Sequence, residues 1–184
     1  MLYTRATSSE DLQKILDLQR VNLPASISEE TQKTEGYVTV HHDFALLKRM
    51  NDACPHIIAK DGDTMAGYTL CMHPMFGDEI EVLKAMFQKI YQIIQDPSKA
   101  QGITTDNFIV MGQVCVDKNY RRQGIFRKLY ETMLQEVQPQ FQYIITEVDI
   151  NNVRSLEAHY GIGFKLLSRY SSDGRIWDLI SLSE

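Results

Sequence analysis

Val114-Cys115-Val116-Asp117-Lys118-Asn119-Tyr120-Arg121-Arg122-Gln123-Gly124-Ile125-Phe126-Arg127-Lys128-Leu129 joins a strand to a helix through a polar turn. The strand is the end of the longest β-type run in the chain, Phe108 to Val116. Gly124 opens the helix, and Phe126, Leu129, Tyr130, Met133, Leu134 and Val137 recur at helical spacing to give it one apolar face. Its start carries no acidic cap and instead gathers Arg121, Arg122, Arg127 and Lys128. Cations there oppose the helix dipole by roughly a few tenths of a kcal/mol each, a penalty that an anionic ligand reverses. Free backbone N–H groups converging with Arg side chains suit a phosphate or pyrophosphate, and Gly124 lets the backbone approach it. A solvated basic helix end has the same composition, so both readings stand at this point. Neither G-x-x-x-x-G-K-[ST] nor G-x-G-x-x-G occurs, so the two common nucleotide loops are absent.

Working outward, strands and helices interleave. Leu2 to Ala6 reads as a strand, and Ser8 caps a helix carrying Leu12, Ile15 and Leu16 until Pro24 interrupts it. Residues 24–43 are polar and poorly periodic, and a second helix is expected over Phe44 to Met50. Asp61-Gly62-Asp63-Thr64 is hairpin chemistry between two β runs. A helix bearing Ile80, Leu83, Phe87, Ile90 and Ile94 runs to Asp96-Pro97, which ends it. After the quoted stretch come a strand over Tyr143 to Val148, a short helix from Asn152 to about Tyr160, and a hairpin over 164–182 turning at Ser171-Ser172-Asp173-Gly174. The expected fold is an α/β (α+β) mixed sheet in the order β-α-α-β-β-α-β-α-β-α-β-β.

The 184 residues suit one domain over residues 1–184, and no linker or repeat divides them. With 43% apolar and 23% charged residues the chain is neither disordered nor fibrous. The formal net charge of -5 argues against general nucleic-acid binding. No apolar run approaches the ~18 residues that span a bilayer, and the N-terminus is no secretory signal, so a cytoplasmic protein without membrane partners is expected. Cys54, Cys71 and Cys115 form neither a disulfide framework nor a zinc knuckle, His41-His42-Asp43 lacks other metal spacings, and no metal site is expected.

A second stretch gives the quoted one its meaning. Arg121-Arg122-Gln123-Gly124-Ile125-Phe126 resembles the [QR]-x-x-G-x-[GA] signature of the GNAT superfamily of acyl-CoA-dependent N-acyltransferases, with Phe126 where Gly or Ala is usual. Val148 to Phe164 resembles that family's N-x-x-[AS]-x-x-x-[YH]-x-x-x-G-F, with Asn152, Ser155, His159, Gly163 and Phe164 in register. The opening Arg5-Ala6-Thr7 and the element order fit too, so the resemblance covers essentially the whole chain.

The resemblance implies acetyl transfer from acetyl-CoA, by direct attack, to a primary amine of a small molecule or a protein amino group, and it leaves room for a homodimer. It assigns coenzyme contacts to Val114, Cys115 and Val116 of the strand, with backbone hydrogen bonds from Val114 and Val116, and to Arg121, Arg122, Gln123, Gly124, Ile125, Phe126 and Arg127 of the loop and helix start. Asn152 would hydrogen-bond the pantetheine arm, or cap the helix it precedes. His159 would face the coenzyme sulfur and donate a proton, with Tyr160 as the adjacent alternative, since only one of two helix neighbours faces a given point. Glu147 is the candidate base, with Asp117 and Asp149 behind it. Trp177, Tyr170 and Phe164 read as core aromatics of the last hairpin. Two other readings remain: a catalytically silent acyl-CoA-binding or regulatory module, and a nucleotide-binding protein using the same basic helix start.

Overall fold

The computed structural model describes residues 1–183. In chain order the elements are β1 (Leu2–Arg5), α1 (Ser9–Val21), α2 (Glu29–Glu35), α3 (Phe44–Ala53), β2 (Ile57–Asp61), β3 (Thr64–Met72), α4 (Lys84–Ile94), β4 (Phe108–Val116), α5 (Ile125–Val137), β5 (Tyr143–Asp149), α6 (Val153–Gly161), β6 (Lys165–Ser172) and β7 (Arg175–Leu182). The capping chemistry at Ser8 acts as expected: its side chain accepts from Asp11 N–H, and Asp11 answers with a bond to the Ser8 N–H. One helix departs from expectation. The polar segment after Pro24 contains α2, which has no apolar period to announce it and is bounded by the Ser28 cap and by Gly36 in a positive-φ conformation. The helix read from Ile80 also starts later, after a single 3-10 turn over Glu81–Leu83.

The strands form one mixed sheet in the order β1-β2-β3-β4-β5-β7-β6. β4 and β5 are parallel, and the remaining neighbours are antiparallel. Helix α5 packs one face through Leu129, Tyr130 and Met133 against Ile57, Ala66, Ile109 and Ile144. On the other face α1 and α3 cover Ile58, Tyr68 and Leu70, and α4 covers Phe108, Val110, Ile145 and Leu179. Burial of these apolar side chains, each worth roughly 1.5–3 kcal/mol, drives the sandwiching of the sheet. Among the described residues no helix is long and apolar enough to cross a membrane.

A single irregularity positions the site. Leu70 pairs with Gln113 and Cys71 with Met111, so Gly112 is an extra residue in β4, a β-bulge. A bulge bends its strand, and β4 leaves β5 at this point: pairing stops after Phe108–Tyr143, Ile109–Ile144 and Val110–Ile145. Beyond it the strands diverge as a wedge, and the segment from Gly36 to His42 passes over that wedge as a strap. Gln113 Nε2 donates to Val40 C=O at 2.7 Å from one arm, and Asn152 Nδ2 donates to Tyr37 C=O at 3.3 Å from the other.

Candidate active site

Asp117 N–H donates to Ala66 C=O on β3. Backbone groups alternate along a strand, so Val116 and Val114 turn their N–H and C=O to the opposite edge, into the wedge. Both side chains are half-buried and line a cavity of about 240 Å³ that runs to the start of α5. Cys115 points the other way, into the α1 and α3 core, where burial pushes its thiol up to about 12 and keeps it a neutral packing group. Its contribution to the cavity is backbone.

At the far end of that cavity Gly124 caps α5 with φ 78°, and no side chain caps the helix. A Cβ built at Gly124 would meet no atom within 4 Å. The first N–H groups of α5 therefore have no side-chain cap and open onto free space, an arrangement that suits an anion. Phe126, at the position the signature reserves for a small residue, lays its ring against Tyr130 at 5.1 Å and His159 at 5.0 Å between centroids, so the ring packs on the core and leaves the backbone clear.

The arginines divide their labour. Arg121 is committed to protein: it donates to Val116 C=O, to Glu35 Oε2 at 2.9 Å and to Asn22 Oδ1 at 2.9 Å, tying α1 and α2 to the loop. This hydrogen bond holds the Glu35 carboxyl below its ordinary range. Arg127 turns away and donates to Gly161 C=O at the end of α6, and Gln123 donates to Asn119 C=O. Arg122 stays exposed with φ 63°, within 3.7 Å of Glu35, and lines the cavity. Arg154 from α6 lines it from the opposite wall, a cation the motif did not single out.

His159 is held inside the fold. Its side chain is 1% exposed, Nδ1 donates to Ser155 C=O at 2.7 Å, and Nε2 accepts from the Tyr130 hydroxyl at 2.7 Å. Burial lowers its pKa to about 4, so the ring is neutral. Its edge reaches the inner wedge, and both nitrogens are engaged by protein groups. Tyr160 points off the wedge altogether, its hydroxyl donating to Asp178 Oδ2 at 2.9 Å. Asn152 is buried and acts twice, as cap of α6 through Ser155 N–H and as an anchor of the strap.

Glu147 lies on the other side of the wedge, facing α4 and the last hairpin. It borders the inner wedge, a small slot with Leu83, Met86, Val110, Met111 and Thr146, and an outer chamber of about 280 Å³ with Thr39, Tyr170, Asp173, Arg175 and Trp177. Burial pushes its carboxyl up to about 7, against the opposing pull of a hydrogen bond from the Tyr170 hydroxyl. Trp177 and Tyr170 are therefore walls of a chamber as well as core aromatics. Tyr37 of the strap borders both the α5 cavity and the inner wedge, so the two spaces are neighbours, and Glu147 lines the second. His42 and Asp43 are structural: His42 is held against Gln19, and Asp43 caps α3.

The sequence pattern of the acetyltransferase (GNAT) family matches residues 12–164, and the chain belongs to that family. It is an acyltransferase, and the family's acyl donor is acetyl-CoA. Solved structures of the same fold include smu.2055 from Streptococcus mutans, 19% identical with TM-score 0.64 over 100% of this chain and 99% of that one. Ribosomal-protein-alanine N-acetyltransferase from Brucella melitensis is 16% identical with TM-score 0.62 over 100% of both chains. The structure of yncA from Salmonella typhimurium, solved with its cofactor acetyl-CoA, is 12% identical with TM-score 0.63 over 100% of this chain and 93% of that one. A search of curated protein sequences gives no match.

Proposed function

We propose that this acetyltransferase acts on nitrogen, moving the acetyl group of acetyl-CoA to a primary amine of a small molecule or a protein by direct attack. The observation that carries this reading is Glu147, a half-buried carboxyl with a pKa of about 7 where the wedge meets a separate chamber. An amine enters from that chamber as an ammonium ion and must lose a proton before it can attack. A carboxylate with this proton affinity accepts one near neutral pH far better than an ordinary Glu.

Acetyl-CoA supplies the activated thioester. The N–H groups of Ile125 and Phe126, with Arg122 and Arg154, hold its pyrophosphate, and Val114 and Val116 pair with the pantetheine arm. A Val116 N–H directed into the wedge stabilises the oxyanion as the amine nitrogen bonds to the thioester carbon. The carbon–sulfur bond then breaks, the nitrogen giving its second proton to solvent to become the neutral amide. The thiolate takes its proton from solvent, because the His159 and Tyr160 hydrogen-bonding groups are occupied elsewhere.

The test is thiol release from acetyl-CoA across a panel of small amines and peptides, with Glu147→Gln beside the parent. Loss of general-base catalysis lowers kcat by roughly 10²–10⁴-fold. Calorimetric affinity for acetyl-CoA should persist. Full turnover in Glu147→Gln overturns the base, and coenzyme binding without release on any amine favours a silent acyl-CoA-binding module.

A further inference from the structure

Glu147 does not stand alone in its chamber. Tyr170 of β6 reaches it across the β6–β7 hairpin, and its hydroxyl donates to Glu147 Oε2. Both residues line the outer chamber, and Tyr170 packs on the apolar cluster that includes Leu179 and Ile145. The phenol is thus fixed by packing, while the carboxylate it holds sits at the junction of three spaces.

We propose that Tyr170 is a positioning residue for acetyl transfer: its O–H orients the Glu147 carboxylate at the mouth of the wedge and sets the pH at which that carboxylate accepts the amine proton. The inference rests on Glu147 as the base. Burial and the neighbouring carboxylate raise the phenol above its ordinary range, so Tyr170 remains a donor throughout the working pH range. A donor to the charged form of a carboxylate favours ionisation. Without it, burial alone acts on Glu147, and its affinity for protons rises.

The other groups around this carboxyl do not take over that task. The hairpin contributes Asp173 and Arg175, the strap Thr39, α4 Ala85, and β7 the indole of Trp177. From the wedge side come Asp149, Tyr37 and His159. Arg175 lies 3.6 Å from Asp149, which offsets the two charges, and His159 is neutral above about pH 4. Of these groups only Tyr170 hydrogen-bonds Glu147 among the described residues.

The experiment is a pH titration of protein labelled with ¹³C at the Glu side-chain carboxyl carbon, read by NMR without any acceptor. The parent should show one Glu titrating near 7, absent in Glu147→Gln, and Tyr170→Phe should move it upward by about one unit, the size expected for losing a hydrogen bond to a charged group. With the amine that releases most thiol in the panel, the acidic limb of kcat/KM should shift by the same amount while the KM for acetyl-CoA stays put. A resonance that titrates at the parent's pH in Tyr170→Phe overturns the role of Tyr170, since loosened hairpin packing would lower thermal stability without moving the titration. Full thiol release in Glu147→Gln overturns the base itself, and the two failures are read on separate variants.

Discussion

Replacing His159 by Phe separates a buried anchor from a catalytic acid. The imidazole Nε2 is the acceptor for the Tyr130 hydroxyl at 2.7 Å, and Tyr130 is itself 1% exposed. Phe removes that acceptor and leaves a buried hydroxyl without a partner, which costs about 1–3 kcal/mol. The six-membered ring must also fit among Phe126, Tyr130 and Phe164, whose centroids lie 5.0 to 5.5 Å from the imidazole, and a poor fit adds about 1 kcal/mol. The Ser155 carbonyl keeps its place in the helix ladder, so little more is lost. A total of about 2–4 kcal/mol corresponds to a melting temperature lower by roughly 4–16 °C for a chain of this size. Tyr130→Phe should cost about 1–3 kcal/mol for the reciprocal reason, and the double variant should fall short of the sum by roughly 1–2 kcal/mol, because both unpaired groups are then gone. Urea unfolding followed by far-ultraviolet circular dichroism measures all three, provided the denaturant slope is unchanged. Turnover by the folded His159→Phe protein should stay within a few-fold of the parent. A 10²-fold fall in kcat with stability intact would refute the anchor role and restore His159 as the acid.

Gly124→Glu places a carboxylate in the open space before α5 and should remove calorimetrically detectable acetyl-CoA binding, while the left-handed backbone there adds a strain of only about 1–2 kcal/mol. Unaltered affinity would take the phosphate site away from this helix start. Acid should unfold the protein early: burial lowers His42 to about 4, His56 to about 3 and His159 to about 4, so between pH 6.5 and those values the unfolded chain takes up protons that the folded one refuses. Glu147, raised to about 7, works in the opposite sense and loses stability as pH rises from its ordinary 4.5, so the net loss on acidification approaches about 3 kcal/mol per pH unit at its steepest. Urea midpoints that stay level from pH 7.5 to 5 would contradict the neutral burial of these rings.

What the sequence reveals and what it conceals follow from the range of the interactions involved. The strand over Phe108–Val116, the helix after Gly124 and the capped α1 are legible because periodicity and capping are local. Helix α2 is not, since its seven polar residues are held by distant ties such as Arg121 to Glu35. The wedge does have a local signal: an isolated Gly112 inside a β run marks a bulge. The registered second motif placed His159 correctly along α6 but carried no information on where its nitrogens point, which Tyr130, 29 residues earlier, decides. Likewise the partner of Glu147 lies 23 residues away across a hairpin that reads only as core. Arg121 and Arg127 show the same limit, because a cation near a helix start answers to whichever carboxylate or carbonyl the fold brings to it.

The three residue pairs that join β4 to β5 have a mechanical consequence. With Gln142 and Tyr143 N–H donating to Asn107 C=O beside them, they form a short backbone-bonded seam between a four-stranded plate, β1 to β4, and a three-stranded plate, β5, β7 and β6. Such a seam acts as a hinge at the closed end of the wedge, and the amides of Gln113 and Asn152, gripping the strap from opposite plates, act as a latch across the open end. A change that lifts the strap therefore breaks a tie to each plate at once, leaving the packing of α5 and α6 to hold the two plates together.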